Sequence, residues 1–293
     1  MGRIHDALER AEQERELHTR DGGARTGGRM RGGSGGSLAD LDGRAAAAEE
    51  LLREHAPRSR SREGRHEHRE RVEASRRDKV MLTKPSTAVS DEYRTLRARI
   101  QSMRRTRELR SIVVTSALPR EGKTTTSTNL AMSFGLEPDS RTCLIDVDMR
   151  TPALHRSFTE LPPSGLAEVL ETEAKLEDAL VQVPDTKLWV LTVRGLPKRP
   201  SELLASARMS ELVDELHARF DTIILDAPPV LGLPDATQLV DLCDAALLVV
   251  DAGRTPRGQV EAMLQRIDAR KVLGTVLNRA SGVSKPYGYG GGA

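Results

Sequence analysis

The stretch IVVTSALPREGKTTTSTN, residues 112–129, decides how this chain reads. It opens on a β-branched run ending at Thr115, passes through a tight loop, and enters a helix-compatible segment near Lys123. Ala117-x4-Gly122-Lys123-Thr124 has the spacing of a phosphate-binding loop, with Ala where the first glycine usually stands. Such a loop works because consecutive backbone N–H groups and the positive end of a helix converge on an anion. The expected nucleotide-binding set is Ala117, Pro119, Arg120, Glu121, Gly122, Lys123, Thr124 and Thr125. Lys123 supplies a point charge for β- and γ-phosphates, and the Thr124 hydroxyl is a ligand for Mg²⁺.

Outward from this stretch, strand and helix patterns alternate, which predicts an α/β fold: a P-loop NTPase-type, mostly parallel sheet with helices on both faces. The expected strands are 111–115, 142–147, 188–193, 222–226, 245–250 and 273–278. Helices are expected near 123–135, 165–180, 200–219, 235–242 and 256–269. Upstream, SDEYRTLRARIQSM (90–103) predicts a helix with Ser90 as N-cap and a stripe of Tyr93, Leu96 and Ile100.

Ligands of such sheets sit beyond the carboxyl ends of the strands, and two acidic motifs fall there. In LIDVDMR (144–150), period-two alternation points Asp146 and Asp148 to one side. One carboxylate of such a pair can hold metal-bound water while the other accepts a proton from an attacking hydroxyl. In IILDAPP (223–229), an apolar strand ends in Asp226, the Walker-B arrangement that places a carboxylate in the Mg²⁺ shell. Lys123, Asp146, Asp148 and Asp226 are thus the candidate catalytic set, with Thr124 and Asp226 beside the metal and either Asp146 or Asp148 free to take the metal-side or the proton-accepting role.

Three regions follow from composition. Residues 1–79 form an N-terminal extension of short amphipathic helices and a flexible charged linker. Residues 80–280 form the P-loop domain, and 281–293 a Gly- and Tyr-containing tail. The formal charge of +2 implies no strong global attraction to nucleic acid, and 2% aromatics leave few platforms for stacking bases. Cys143 and Cys243 lie in apolar patterns and read as buried thiols in a reducing compartment. Of the seven histidines only His66 and His68 are close together, so a histidine metal site is not expected. No apolar run of about 18 residues occurs. The expectation is a cytoplasmic protein that meets the inner membrane only through a partner.

The segments SALPREGKTTTSTNLA, LIDVDMRTPALH, LPKRPSELL, IILDAPPVLGLPDA and GTVLNRA together resemble the bacterial tyrosine autokinases of exopolysaccharide biosynthesis, P-loop proteins related to MinD/ParA ATPases. The likeness covers about residues 80–293, and the opening MGRIHDALERAEQER resembles the soluble variety, which pairs with a separate membrane protein governing polysaccharide chain length. The resemblance implies ATP and Mg²⁺ as cofactors, Asp146 as base toward a tyrosine hydroxyl, Asp148 and Asp226 in the metal shell, and Asn278 at the adenine. It also implies a homo-oligomeric ring using Asp91, Arg94 and Arg97, a membrane co-polymerase partner, and a cognate tyrosine phosphatase. Where MinD-type ATPases carry a signature lysine, this chain has Leu118, which favours the kinase branch.

The tail adds a separate argument. Two of the three tyrosines, Tyr287 and Tyr289, lie among glycines in the last seven residues. Tyrosines there are poor core residues and accessible acceptors. From Ala280 to Tyr287 an extended chain spans at most about 25 Å. The expected activity is ATP-dependent autophosphorylation of these tyrosines. The alternatives are a MinD/ParA-like ATPase switch and a nucleotide-binding scaffold without kinase activity.

Overall fold

Long β-branched and leucine-rich runs with no polar alternation suit strands buried on both faces, and that is where they lie. The computed structural model of the chain describes residues 81, 84, 86–158 and 161–280. The expectations for residues 1–79, for His66 and His68, and for Tyr287 and Tyr289 therefore lie outside the described residues.

In chain order the elements are α1 (Ala88–Met103), β1 (Ser111–Ser116), α2 (Lys123–Gly135), β2 (Thr142–Asp146), α3 (Leu166–Glu171), α4 (Leu176–Ala179), β3 (Leu180–Gln182) and β4 (Leu188–Leu191). There follow α5 (Pro200–Leu204), α6 (Ala207–Arg219), β5 (Thr222–Asp226), α7 (Asp235–Leu242), β6 (Ala245–Asp251), α8 (Arg257–Arg266) and β7 (Val272–Asn278). The strands form one sheet in the order β3-β4-β2-β5-β1-β6-β7. Every pairing is parallel except β3 with β4.

Alternate residues of each strand feed two cores. Val113, Ile145, Ile223, Leu225 and Leu248 pack on one face, and Ile112, Val114, Leu144, Ile224 and Leu247 on the other. Cys143 and Cys243 are buried free thiols, as their apolar surroundings predict.

The register sets the site. Asp146 at the end of β2 pairs with Asp226 at the end of β5, and Asp226 pairs with Val114 of β1 just before the phosphate loop. Three adjacent strands thus deliver the loop and both acidic motifs to one edge.

Several local expectations change; the strand expected over 188–193, for one, stops at Leu191. The helix expected over 165–180 is two short helices separated by residues 172–175, and β3 begins at its last position, Leu180. The segment QVPDTKLWV folds as a hairpin, with Asp185 at φ 58 in the turn. The helix expected over 200–219 breaks before Ala207, where Ser206 accepts from the Met209 N–H at 3.2 Å and starts a new helix. The expected 142–147 strand stops at Asp146. Finally, the N-cap of α1 is Thr87, not Ser90. The Thr87 hydroxyl accepts from the Ser90 N–H at 3.3 Å, and Ser90 is buried, its own hydroxyl donating to the Lys84 carbonyl at 2.6 Å.

The apolar stripe of α1 holds: Ile100 is buried and Tyr93 and Leu96 pack against the same core.

Candidate active site

The phosphate loop is held open from behind. Its backbone takes positive φ at Arg120 (67°) and Gly122 (97°), and only glycine adopts the latter without strain. A Cβ at Gly122 would also stand 2.0 Å from Nδ2 of Asn278. That amide donates to the Glu121 carbonyl at 2.9 Å, and Arg279 Nη1 donates to the Arg120 carbonyl at 3.2 Å. The Glu121 carboxylate turns back into the protein, accepting from the Leu118 N–H at 2.8 Å and from the Thr255 hydroxyl. Arg279 is ion-paired with Asp251, the last residue of β6. Behind the loop, a cavity of about 310 Å³ opens between Arg120, Glu121, Asp251 and Thr255.

These contacts leave the inner side of the loop free. Gly122 is the N-cap of α2 and no side chain closes that helix. Its first N–H groups therefore face the loop interior without a side-chain acceptor, the arrangement that takes phosphate.

Lys123, at the start of α2, is buried, which depresses its ammonium below the usual lysine range. Asp226, Asp148 and Glu121 are the charges nearest to it. Asp226 is pushed up to about 6 by burial, against the Thr124 hydroxyl, Lys123 and the Ser127 hydroxyl, which stabilise its charged form. One oxygen of Asp226, Oδ1, is buried with no hydrogen-bond partner. A buried carboxylate oxygen without a donor is costly, and a cation beside it removes the cost. The pair Thr124 and Asp226 therefore fits a hard divalent ion with oxygen ligands.

Asp146 is fully buried. Its Oδ2 accepts from the Ala153 and Leu154 N–H groups at 3.1 and 3.0 Å, and its Oδ1 from the Asp148 N–H at 3.2 Å. Burial and the neighbouring Asp226 hold its carboxyl well above the usual range. The alternation argument that placed Asp146 and Asp148 on one side does not apply, because β2 ends at Asp146 and Asp148 lies in the turn beyond it. Asp148 is half-buried and caps that turn, accepting from the Thr151 N–H and hydroxyl, both at 3.0 Å.

The structure thus brings Lys123, Thr124, Asp146, Asp148 and Asp226 together, and sets Asn278 and Glu121 as props of the loop. Asp91 and Arg94 form an exposed ion pair at 2.7 Å. Arg97 points elsewhere, to the Ser133 carbonyl and to Glu137 at 2.7 Å, tying α1 to the end of α2. Sequence reading missed Ser127, Asp251 and Thr255. Asp251 carried a signal, since the apolar run AALLVVD ends in aspartate as β5 does. Thr255 carried none, lying 134 residues from its partner Glu121.

Residues 111–274 match the family described as an AAA domain. The chain is 35% identical over 218 residues to the tyrosine-protein kinase YwqD of Bacillus subtilis (strain 168), covering 73% of this chain and 92% of that one. It is 32% identical over 209 residues to the succinoglycan biosynthesis transport protein ExoP of Rhizobium meliloti (strain 1021), covering 70% of this chain and 26% of that one. The solved kinase domain of the Escherichia coli tyrosine kinase ETK superposes with a TM-score of 0.64 at 28% identity, covering 72% of this chain and 84% of that one. With a phosphate loop, a Walker-B aspartate and this sheet order already in place, the match assigns the protein: the chain belongs to the bacterial tyrosine-protein kinases built on a P-loop AAA domain.

Proposed function

We propose that this kinase transfers the γ-phosphoryl group of ATP to tyrosines of its own C-terminal tail, Tyr287 and Tyr289, and so governs exopolysaccharide polymerisation or export. The observation that carries the reading is the unpartnered Oδ1 of Asp226 beside Lys123 and Thr124, at the mouth of an uncapped helix. The α2 N–H groups and Lys123 bind the phosphates, and the loop residues Ala117 to Thr125 enclose them. Thr124, Asp226 and Asp148 are the residues that would hold magnesium, which supplies neutralisation of charge along the phosphate chain. Asn278, wedged against Gly122, is assigned to the base side of the nucleotide.

The tyrosine oxygen attacks phosphorus, the bond to ADP breaks, and the phenolic proton leaves to a carboxylate. Asp146 is assigned that proton because burial and the neighbouring Asp226 raise its affinity for one, and three backbone N–H groups fix its orientation. No covalent protein intermediate is needed, since positioning and charge neutralisation lower the barrier. The membrane chain-length regulator, a tyrosine phosphatase that resets the tail, and a ring of subunits whose neighbouring tails repel when phosphorylated complete the proposal.

Incubating the protein with Mg–ATP, measuring ADP, and mapping phosphotyrosine by mass spectrometry tests the reading. Phosphate is expected on Tyr287 or Tyr289, absent from Lys123→Met and from a chain ending at Ser284. ADP release without phosphotyrosine would make the protein an ATPase switch, and neither product would make it a scaffold. Asp146→Asn is expected to lower the transfer rate about 10²–10⁴-fold with ADP binding retained. Full activity in that variant would move the proton to Asp148 or to water.

A further inference from the structure

Arg150 lies two residues beyond Asp148, in the turn after β2, and its guanidinium is divided between two other segments. Nε donates to Oδ2 of Asp235 at 3.2 Å, and Nη2 donates to Oγ of Ser201 at 2.8 Å. The Ser201 hydroxyl gives its proton to Oδ1 of Asp235. A hydroxyl has one proton and two lone pairs, so the directions are fixed: Arg150 gives to both partners, Ser201 gives to Asp235, and Asp235 only accepts. Asp235 is 1% exposed and is the first residue of α7, where a negative charge faces the positive helix end.

The three residues come from the segments that follow β2, β4 and β5, and these strands are neighbours in the order β4-β2-β5. The turn itself is shaped from within, by Asp146 holding the Ala153 and Leu154 N–H groups and Asp148 holding Thr151. At its start the turn is tied to β5 by the Val147 N–H, which donates to the Asp226 carbonyl at 2.9 Å, and Val147, Met149 and Leu154 are buried in the cores. The Arg150 fork adds the side-chain link beyond Asp148, joining the turn to both flanks through a buried carboxylate. Lysine cannot replace it, because one ammonium on a flexible stem does not span two acceptors held in a plane.

We propose that Arg150, Ser201 and Asp235 form a clamp that orients the 147–154 turn and thereby sets the position of Asp148; they are positioning residues of the kinase reaction. The inference rests on the kinase reading above. Phosphates are held by the loop before α2, which the clamp does not touch, so the clamp acts on transfer rate and not on nucleotide affinity.

The test uses the full chain as wild type, Ser201→Ala, Arg150→Lys and Ser201→Thr. In the nucleotide-free protein, hydrogen exchange at the amides of Thr151, Ala153 and Leu154 is expected to quicken about tenfold in Ser201→Ala and Arg150→Lys. The tyrosine phosphorylation rate is expected to fall about tenfold or more in the same two variants. ADP affinity in EDTA stays within about twofold. Ser201→Thr, which keeps the hydroxyl, restores both exchange protection and rate. Unchanged exchange in Ser201→Ala and Arg150→Lys overturns the clamp, as does a loss of ADP affinity as large as the loss of rate, which marks general loosening. A wild type that makes no phosphotyrosine removes the kinase reading instead, and the exchange rates still decide whether the clamp holds the turn.

Discussion

Asp226 is kept in a place that disfavours its charge. Burial lifts its carboxyl from an ordinary value of 3.8 to about 6, so the nucleotide-free fold holds a proton there that the unfolded chain has already released. Between those two pH values the folded state binds more protons than the unfolded one, and stability from this group falls as pH rises through the window. Asp226→Asn has nothing to titrate at this position. Its stability relative to wild type, measured by urea unfolding without nucleotide, is therefore expected to improve from about pH 4 to pH 6 and then level off, an effect on the order of 1–3 kcal/mol. A flat difference across that range would show that Asp226 is not held in a disfavoured state. The same residue was plain in the sequence, as were Lys123 and Thr124, because their chemistry is written in consecutive positions. Ser201, Asp235 and Thr255 were not legible, since each acts on a residue 34 to 134 positions away.

At the scale of elements, α2 approaches β4 closely because its last residue is glycine. A Cβ at Gly135 would lie 2.6 Å from the Leu188 Cβ and 3.0 Å from the Leu188 backbone nitrogen. Neither neighbour is the free end of a flexible side chain, so helix or strand must shift. Gly135→Ala is expected to destabilise the fold by about 1–3 kcal/mol in chemical denaturation. An increase in stability, as helix propensity alone predicts, would mean that the two elements separate easily. The elements themselves were readable where periodicity ran long, as in α2 and the central strands. Readings failed at short pieces: β3 continues an apolar run without a break, and Ser206 restarts a helix within what looks like one pattern. The α1 cap was misplaced because Ser90 has the chemistry of a cap but is buried on Lys84, leaving the role to Thr87.

At the scale of the molecule, alternation in the strands fixed which side chains enter which core, and the helices cover both faces as their patterns implied. What no local pattern could supply was the strand order, since it depends on pairings between distant segments. β1 sits between β5 and β6, so Ser111 must find Ile223, and Ile112 must find Ala245. On a ribosome, the phosphate loop emerges long before the strands that brace it. The pocket is thus a late product of synthesis, and nucleotide capture reports that the carboxyl-terminal third has arrived. A chain ending at Asp244 retains the whole glycine–lysine–threonine signature yet leaves one flank of β1 bare, and it is expected to show no measurable ADP binding by calorimetry. Nucleotide binding is thus expected to wait on β6 and β7, which come last among the described strands.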